Sequence, residues 1–438
     1  MNRYLLTALL LWGTCSLPAQ HIHTLQSCLE TGLERNYSVR IVRNEQRITD
    51  NDVTLANAGY LPTVELTAGY GGDLTSARTN ARAGERLSEN GTLNHSANLG
   101  AELNWTLFDG FRVQTNYARL KELQQMGELA TRITLEDFMA SLIAEYYNFI
   151  QQEIRLKNFR YAVSLSKERL RIVEARYQIG NFSRLDLQQA RVDFNADSSK
   201  YMNQQELVIA SRIRLNELMA NPNVNEKFRA GDSVIRVNDR LEWHTLEEGM
   251  LRTNASLLMA ERDKTLAELD LKTIRARNYP YMNLNAGYAY SWNRYGSGAN
   301  RTRQNFGPSA GIRLGFTLFD GNRRREQQNA RIRIENADLE RMQLEQSLRA
   351  DLANFWQAYL NNKEVLYLEK ENLAAAKENH EIAMERYLLG DLSGIEMREA
   401  QKSLLDAEER ILTAQYNTKL CEISLQQISG NILSYLER

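Results

Sequence analysis

The sequence predicts a mixed fold, in which very long α-helices are joined to four short membrane-facing β-strands and the whole unit occurs twice along one chain. Three observations carry this. Short motifs recur in the same order about 210 residues apart, two stretches of about 70 residues lack proline, and four segments alternate between apolar and polar side chains.

The first element reads as an export signal. Asn2-Arg3 is a short basic start, Tyr4 to Trp12 an apolar run, and Ser16-Leu17-Pro18-Ala19-Gln20 offers cleavage after Ala19, so residues 1–19 are assigned to a signal peptide. Cys15 raises a lipid anchor as the alternative, which Trp12 and Thr14 fit poorly. No later stretch holds the eighteen or so consecutive apolar residues of a membrane helix. The 438 residues carry a net charge of -1, 25% charged side chains and a mean hydropathy of -0.51. That balance is too polar for a bundle of membrane helices and too neutral to draw the chain to nucleic acid. Cys28 and Cys421 read as two small buried residues, with a bond between the first and last helices as the alternative in an oxidising compartment.

The duplication is explicit. Leu103-Asn104-Trp105-Thr106-Leu107-Phe108-Asp109-Gly110 returns as Leu314-Gly315-Phe316-Thr317-Leu318-Phe319-Asp320-Gly321, and Arg176-Tyr177-Gln178-Ile179-Gly180-Asn181-Phe182-Ser183 returns as Arg386-Tyr387-Leu388-Leu389-Gly390-Asp391-Leu392-Ser393. His23-Thr24-Leu25 and Ala68-Gly69-Tyr70 return as His244-Thr245-Leu246 and Ala286-Gly287-Tyr288. This period is far longer than that of a solenoid. Repeat 1 spans 20–220, with a helix, strands about 62–74 and 95–108, a long helix about 111–179 and a return helix about 183–220. A polar linker covers 221–243. Repeat 2 spans 244–438, with a helix, strands about 280–292 and 306–319, a long helix about 322–389 and a return helix about 393–433. Pro62, Pro280 and Pro308 sit at the edges of these elements, as a missing N–H and a ring clash require.

Each strand has a period of two. Val64, Leu66, Ala68 and Tyr70 alternate with Thr63, Glu65, Thr67 and Gly69, and Ala97, Leu99, Ala101, Leu103, Trp105 and Leu107 with Ser96, Asn98, Gly100, Glu102, Asn104 and Thr106. Met282 to Trp292 and Ala310 to Leu318 repeat the pattern. A soluble sandwich alternates in the same way. The strand length of about ten residues and the aromatic residues near strand ends (Tyr60, Trp105, Phe108, Tyr279, Tyr281, Trp292, Phe306, Phe319) favour a membrane barrel instead. Four strands cannot close a barrel, and an open edge cannot face hydrocarbon. Two copies would give a tube of eight strands filled by its own side chains; three would give twelve and an aqueous lumen. Three are favoured, with Glu65, Glu102 and Arg313 on the lumen side.

From Phe111 to Ile179 the only glycine is Gly127, and Asn322 to Leu389 holds neither glycine nor proline. Helices of that length span roughly 100 Å at 1.5 Å per residue, so they form rods rather than a globule. Gly180 and Gly390 end them, and Ser183 and Ser393 can cap the return helices.

At Tyr-x-x-Gly-x-x-Ser and Leu-Phe-Asp-Gly, each present twice, the sequence resembles the TolC-like outer-membrane efflux family over essentially all of the mature chain. The resemblance implies a homotrimer with a 12-stranded β-barrel in outer-membrane lipid, continuous with a long α-helical periplasmic barrel. It implies a passive exit duct for a tripartite efflux or secretion system, docked to a periplasmic adaptor protein and an inner-membrane RND or ABC transporter. By the same match, Gly180, Asn181, Ser183, Gly390, Asp391 and Ser393 form adaptor-contacting tips, Glu396 and Glu399 narrow the periplasmic aperture, and Asp186 and Tyr387 latch neighbouring helices. Leu392 stands where the family pattern has an arginine, so one latch interaction is missing.

Enzyme signatures are not found. His21, His23, His95, His244 and His380 lack metal-motif spacing, and neither a phosphate loop, a nucleophile elbow nor a Cys-x-x-Cys occurs. No catalytic residue, cofactor or metal is assigned. The alternative readings are a periplasmic adaptor, which should carry one helical hairpin rather than two tandem copies, and a soluble coiled-coil structural protein.

Overall fold

The computed structural model describes residues 22–80, 86–297 and 300–436. The signal peptide and Cys15 lie outside the described residues. In chain order the elements are β1 (Ile22–His23), α1 (Leu25–Arg35), α2 (Tyr37–Asp52), α3 (Leu55–Ala58), β2 (Thr63–Asn80), β3 (Arg86–Asp109), α4 (Arg112–Gln178), α5 (Arg184–Leu218), β4 (Arg229–Ala230), α6 (Trp243–Thr253), α7 (Ala255–Ala276), β5 (Tyr281–Arg294), β6 (Thr302–Gly315), α8 (Arg323–Leu389) and α9 (Gly394–Ile428), followed by a 3-10 turn at Ile432–Leu436. The repeat is metrically close. α4 and α8 both have 67 residues, α5 and α9 both have 35, and α1 and α6 both have 11. Among the described residues no helix is long and apolar enough to cross a membrane.

The chain divides into two compact units. One, made of Glu45–Leu129 and Met259–Met342, holds the sheet. Its four strands are antiparallel in the order β2-β3-β5-β6, so β2 and β6 are unpaired edges. The register places Val64 opposite Leu103, Leu103 opposite Ala286, and Ala286 opposite Ala310. Apolar residues thus meet apolar residues across all four strands. The strand bounds differ from those the alternation suggests. β2 and β3 run for 18 and 24 residues, past the end of the apolar pattern, because ladder hydrogen bonds need only backbone groups. β6 starts at Thr302 and stops at Gly315, although alternation continues to Leu318. Gly315 is paired with Tyr281, the first residue of β5 after Pro280, so Phe316 and Leu318 have no strand beside them.

The other unit comprises Met1–Asn44, Ala130–Leu258 and Gln343–Arg438. Two apolar clusters form its core, and the first also takes in Leu412 and Ile423 of α9 and Tyr435. Leu142, Tyr146 and Phe149 of α4 pack with Leu29 of α1, Leu215 of α5 and Phe228 of the linker; Leu352 and Tyr359 of α8 pack with Met250 of α6 and Leu425 of α9. The linker is therefore core material rather than a tether. Asn36 and Asn254 play matching parts. Each ends a short helix, caps the next through Oδ1, and donates Nδ2 at 2.9 Å to the last turn of its own return helix, Leu218 and Ile428 respectively. Cys28 and Cys421 are both free and buried, in different clusters. The disulfide alternative therefore falls away, and burial pushes the Cys28 thiol up to about 12. A buried ion pair, Lys419 Nζ to Glu422 at 2.8 Å, is closed by the Tyr435 hydroxyl, which donates to Glu422 at 2.7 Å, and by the Asn238 N–H at 2.9 Å.

Two glycines give a matched test. Gly110 and Gly180 both have left-handed backbone, φ +70 and +81. A Cβ on Gly110 would lie 2.2 Å from the Ala276 carbonyl oxygen, whereas one on Gly180 meets nothing within 4 Å. Gly110→Ala should cost about 3 kcal/mol and Gly180→Ala about 1 kcal/mol by chemical denaturation. Equal losses would show that space around the turn is not what selects glycine at 110.

Candidate functional site

Two surfaces carry the functional candidates, one in each unit. In the sheet, alternation sorts the side chains cleanly. One face presents Glu65, Glu102, Asn104, Asn285, Ser309 and Arg313, and the other Leu66, Leu99, Tyr288 and Phe306. Glu65 and Glu102 are direct cross-strand partners. Arg313 shares their face from β6, opposite Asn283. The apolar face is uncovered: Leu66, Tyr70, Phe306 and Leu314 are 78%, 73%, 71% and 71% exposed. Water does not tolerate a continuous patch of this kind on a soluble monomer. Aromatic residues gather at the helix end of the sheet, where Trp105 donates Nε1–H to the Tyr60 carbonyl at 2.9 Å and Phe111 lies edge-on to Phe108 and Tyr279.

The second surface is the pair of turns closing the α-helical hairpins. At the first, the Gly180 N–H donates to the Tyr177 carbonyl and the Asn181 N–H to that of Arg176. Gly390 and Asp391 donate likewise to Tyr387 and Arg386. Both return helices open with a reciprocal capping box. The Ser183 hydroxyl accepts from the Asp186 N–H, and the Asp186 carboxylate accepts from the Ser183 N–H at 3.0 Å and its hydroxyl at 2.7 Å. Ser393 and Glu396 repeat this with the same 3.0 and 2.7 Å contacts. Hydrogen bonds from Ser183 and Ser393 hold the Asp186 and Glu396 carboxyls below their usual values.

Sequence reasoning named Asp186 and Glu396 for a latch and an aperture, and both carboxylates are engaged in their own caps. Glu399 follows one turn after Glu396 and lines a cavity of about 330 Å³ with Arg169, Phe182, Asp186, Tyr387 and Arg398. Asp186 and Tyr387 thus border one space, without a hydrogen bond between them among the described residues. The Tyr387 ring is 1% exposed, packed on Ala383, Met397, Ala400 and Leu392. Its hydroxyl has no partner among the described residues, and burial raises its pKa. Leu392, in the place of the expected arginine, is part of this apolar packing.

Five residues that hold the tips together were assigned no role from the sequence. Arg176 donates to the Tyr387 and Leu388 carbonyls at 3.3 and 3.0 Å, tying one tip to the other, and its guanidinium lies over the Phe182 and Tyr387 rings. Among the described residues its repeat counterpart Arg386 donates within its own turn, to the Asp391 carbonyl. Deeper in, Arg169 pairs with Asp193, and Arg398 holds Asp197 with bonds of 2.7 and 2.9 Å. The signal was present: Asp193 and Asp197 occupy positions four apart on the buried stripe that begins at Leu187 and Ala190, where polar residues demand partners.

A one-sided apolar sheet with open edges, carried with paired α-helical rods in duplicate, defines the protomer of an outer-membrane β-barrel. The outer membrane efflux protein model matches residues 29–221 and 248–431, and the chain belongs to that family, whose place is the outer membrane. It is 25% identical over 328 residues to nodulation protein T of Rhizobium leguminosarum bv. viciae, an alignment covering 69% of this chain and 60% of that protein's length. A membrane protein from Pseudomonas aeruginosa superposes with a TM-score of 0.75 at 17% identity, over 93% of this chain and 90% of that one. The outer membrane protein VceC from Vibrio cholerae does so at 0.74 and 15%, over 93% and 96%.

The caps and the buried charges make separate predictions. Because the folded Asp186 and Glu396 values are depressed, their contribution is complete above the unfolded values of about 3.9 and 4.3 and disappears as pH falls through the folded ones. Amide protection at Asp186 and Glu396 should drop as the pH falls below about 5, and Glu396→Gln should flatten the second titration; protection independent of pH would exclude the caps as its source. Arg398→Ala strands Asp197, whose side chain is 2% exposed, and should cost about 3 kcal/mol by denaturation, with Arg398→Ala/Asp197→Leu recovering part of it.

Proposed function

We propose that the chain is the outer-membrane exit duct of a tripartite efflux or secretion system, passing substrates from an inner-membrane pump to the outside without acting on them chemically. The observation that carries this is the sheet: an uncovered apolar face opposite a polar one, with β2 and β6 both unpaired. In hydrocarbon every backbone N–H and C=O must be paired, so the edges require further copies. Three copies give a homotrimer with twelve strands, apolar face to lipid, and Glu65, Glu102 and Arg313 towards an aqueous lumen. The tips at Gly180, Asn181, Ser183, Gly390, Asp391 and Ser393 meet a periplasmic adaptor, Asp186 and Tyr387 belong to the contact that keeps neighbouring hairpins closed, and Glu396 and Glu399 set the charge of the aperture. The exposed turns and the charge-lined cavity between the hairpins support these roles. The pump is an RND or ABC transporter.

Detergent-solubilised protein should run as a trimer by light scattering and open ion channels in planar bilayers. Glu396→Gln with Glu399→Gln should lower the cation-over-anion permeability ratio severalfold; glutamine keeps an acceptor for the Ser393 cap, so the change reports charge alone. A stable monomer that forms no channel would sink the duct, and unchanged selectivity would remove the two glutamates from the aperture.

A further inference from the structure

On β5 and β6 the apolar face ends in a row of polar side chains beside their hairpin turn, while β2 and β3 run on past that row with Leu74 opposite Leu93. On that face the register runs Gly72, His95, Arg294, Thr302 across β2, β3, β5 and β6. The next row inward is Tyr70, Ala97, Trp292, Gln304, and beyond it the face is apolar as far as Met282 and Leu314. Met282 to Trp292 covers ten residues of rise, about 33 Å along the strand, or roughly 25 Å of height at the tilt of a barrel strand. That is the height of a hydrocarbon band, so the His95–Arg294 row falls at headgroup level. Arg294 is exposed and has no carboxylate in ion-pairing range among the described residues. His95 is oriented: its Nδ1 shares a 2.9 Å hydrogen bond with the Tyr70 hydroxyl, and the two rings stack with centroids 6.0 Å apart. This leaves Nε2 for an outside partner. β3 and β5 are the inner strands, so copies added at the edges β2 and β6 leave this row uncovered.

The geometry points to a binding site for a phosphorylated lipid headgroup on this row, with Arg294 as the charged fork, His95 as a second donor and Trp292 as the wall against the acyl chains. It rests on the reading that the apolar face meets the outer membrane. A guanidinium matches phosphate by paired N–H donors, and a cation left unpartnered at the rim of an apolar face needs an anion from the lipid. The occupant is the phosphate-bearing glycolipid of the outer leaflet rather than free phosphate, because only a lipid brings acyl chains to the aromatic wall.

The test uses the full mature protein reconstituted in vesicles containing lipid A, followed by detergent extraction and native mass spectrometry of the lipid retained. The wild type should keep bisphosphorylated lipid A at least fivefold better than enzymatically dephosphorylated lipid A. Arg294→Gln should erase that preference, and His95→Ala should reduce it, while both variants still float with the vesicles. If wild type floats but Arg294→Gln retains the phosphorylated lipid equally, or 10 mM inorganic phosphate strips it from the wild type, the headgroup site is overturned and the channel reading stands. If wild type itself does not float, the membrane reading fails and this site with it.

Discussion

The constraint on which the structure depends is that one chain makes a sheet it cannot finish. Four strands in the order β2-β3-β5-β6 satisfy each other internally and leave two edges of unpaired backbone groups. The same four strands put their apolar side chains on one face, where nothing among the described residues covers them. Neither feature is tolerable to an isolated protein in water or in lipid. Both are resolved together if further copies close the edges and lipid takes the face. The long helices follow from the same duplication, because each β-hairpin is followed by a rod of 67 residues and a return of 35.

The α-helical hairpins solve a different problem. Far from the ends of the rods, long amphipathic helices hold register by apolar packing, but the turns have little to bury. The sequence meets this with local devices: a left-handed glycine, a serine cap, and an acidic residue three positions on. It also uses charges in place of missing apolar surface. Arg176 joins the two turns through main-chain carbonyls; just behind them Arg169–Asp193 ties α4 to α5 within the first hairpin, and Arg398–Asp197 ties the second hairpin to the first. The two ion pairs are buried, so each charge depends on its partner, and separating them leaves an uncompensated charge behind the turns.

The two repeats have diverged in instructive ways. Asn36 and Asn254 keep the same double role, and both capping boxes survive with aspartate in one and glutamate in the other. Arg176 and Arg386 occupy equivalent positions but do different work, one bridging the tips and the other closing its own turn. At the caps the local backbone dictates the side chain, so the chemistry is copied. At the bridge the surroundings differ between the copies, so one arginine reaches the opposite turn and the other its own.

How much was legible in the sequence depended on range. Period-two alternation placed the strands and their faces, because side-chain direction in a strand is fixed by backbone geometry alone. Proline-free runs and the Gly-x-x-Ser turns placed the helices, because their penalties and caps act within a few residues. Strand ends were misjudged, as β6 shows: alternation continues to Leu318, yet a strand stops where its partner stops, and Pro280 on a different segment decides that. Glu396 and Asp186 could be found by position, but their engagement in the caps, the bridge from Arg176 and the pairing of Asp197 with Arg398, 201 residues apart, were settled only in three dimensions. Local rules fix elements and faces, whereas the partner of a buried charge is whichever group the packing brings within about 3 Å, and no spacing along the chain encodes that distance.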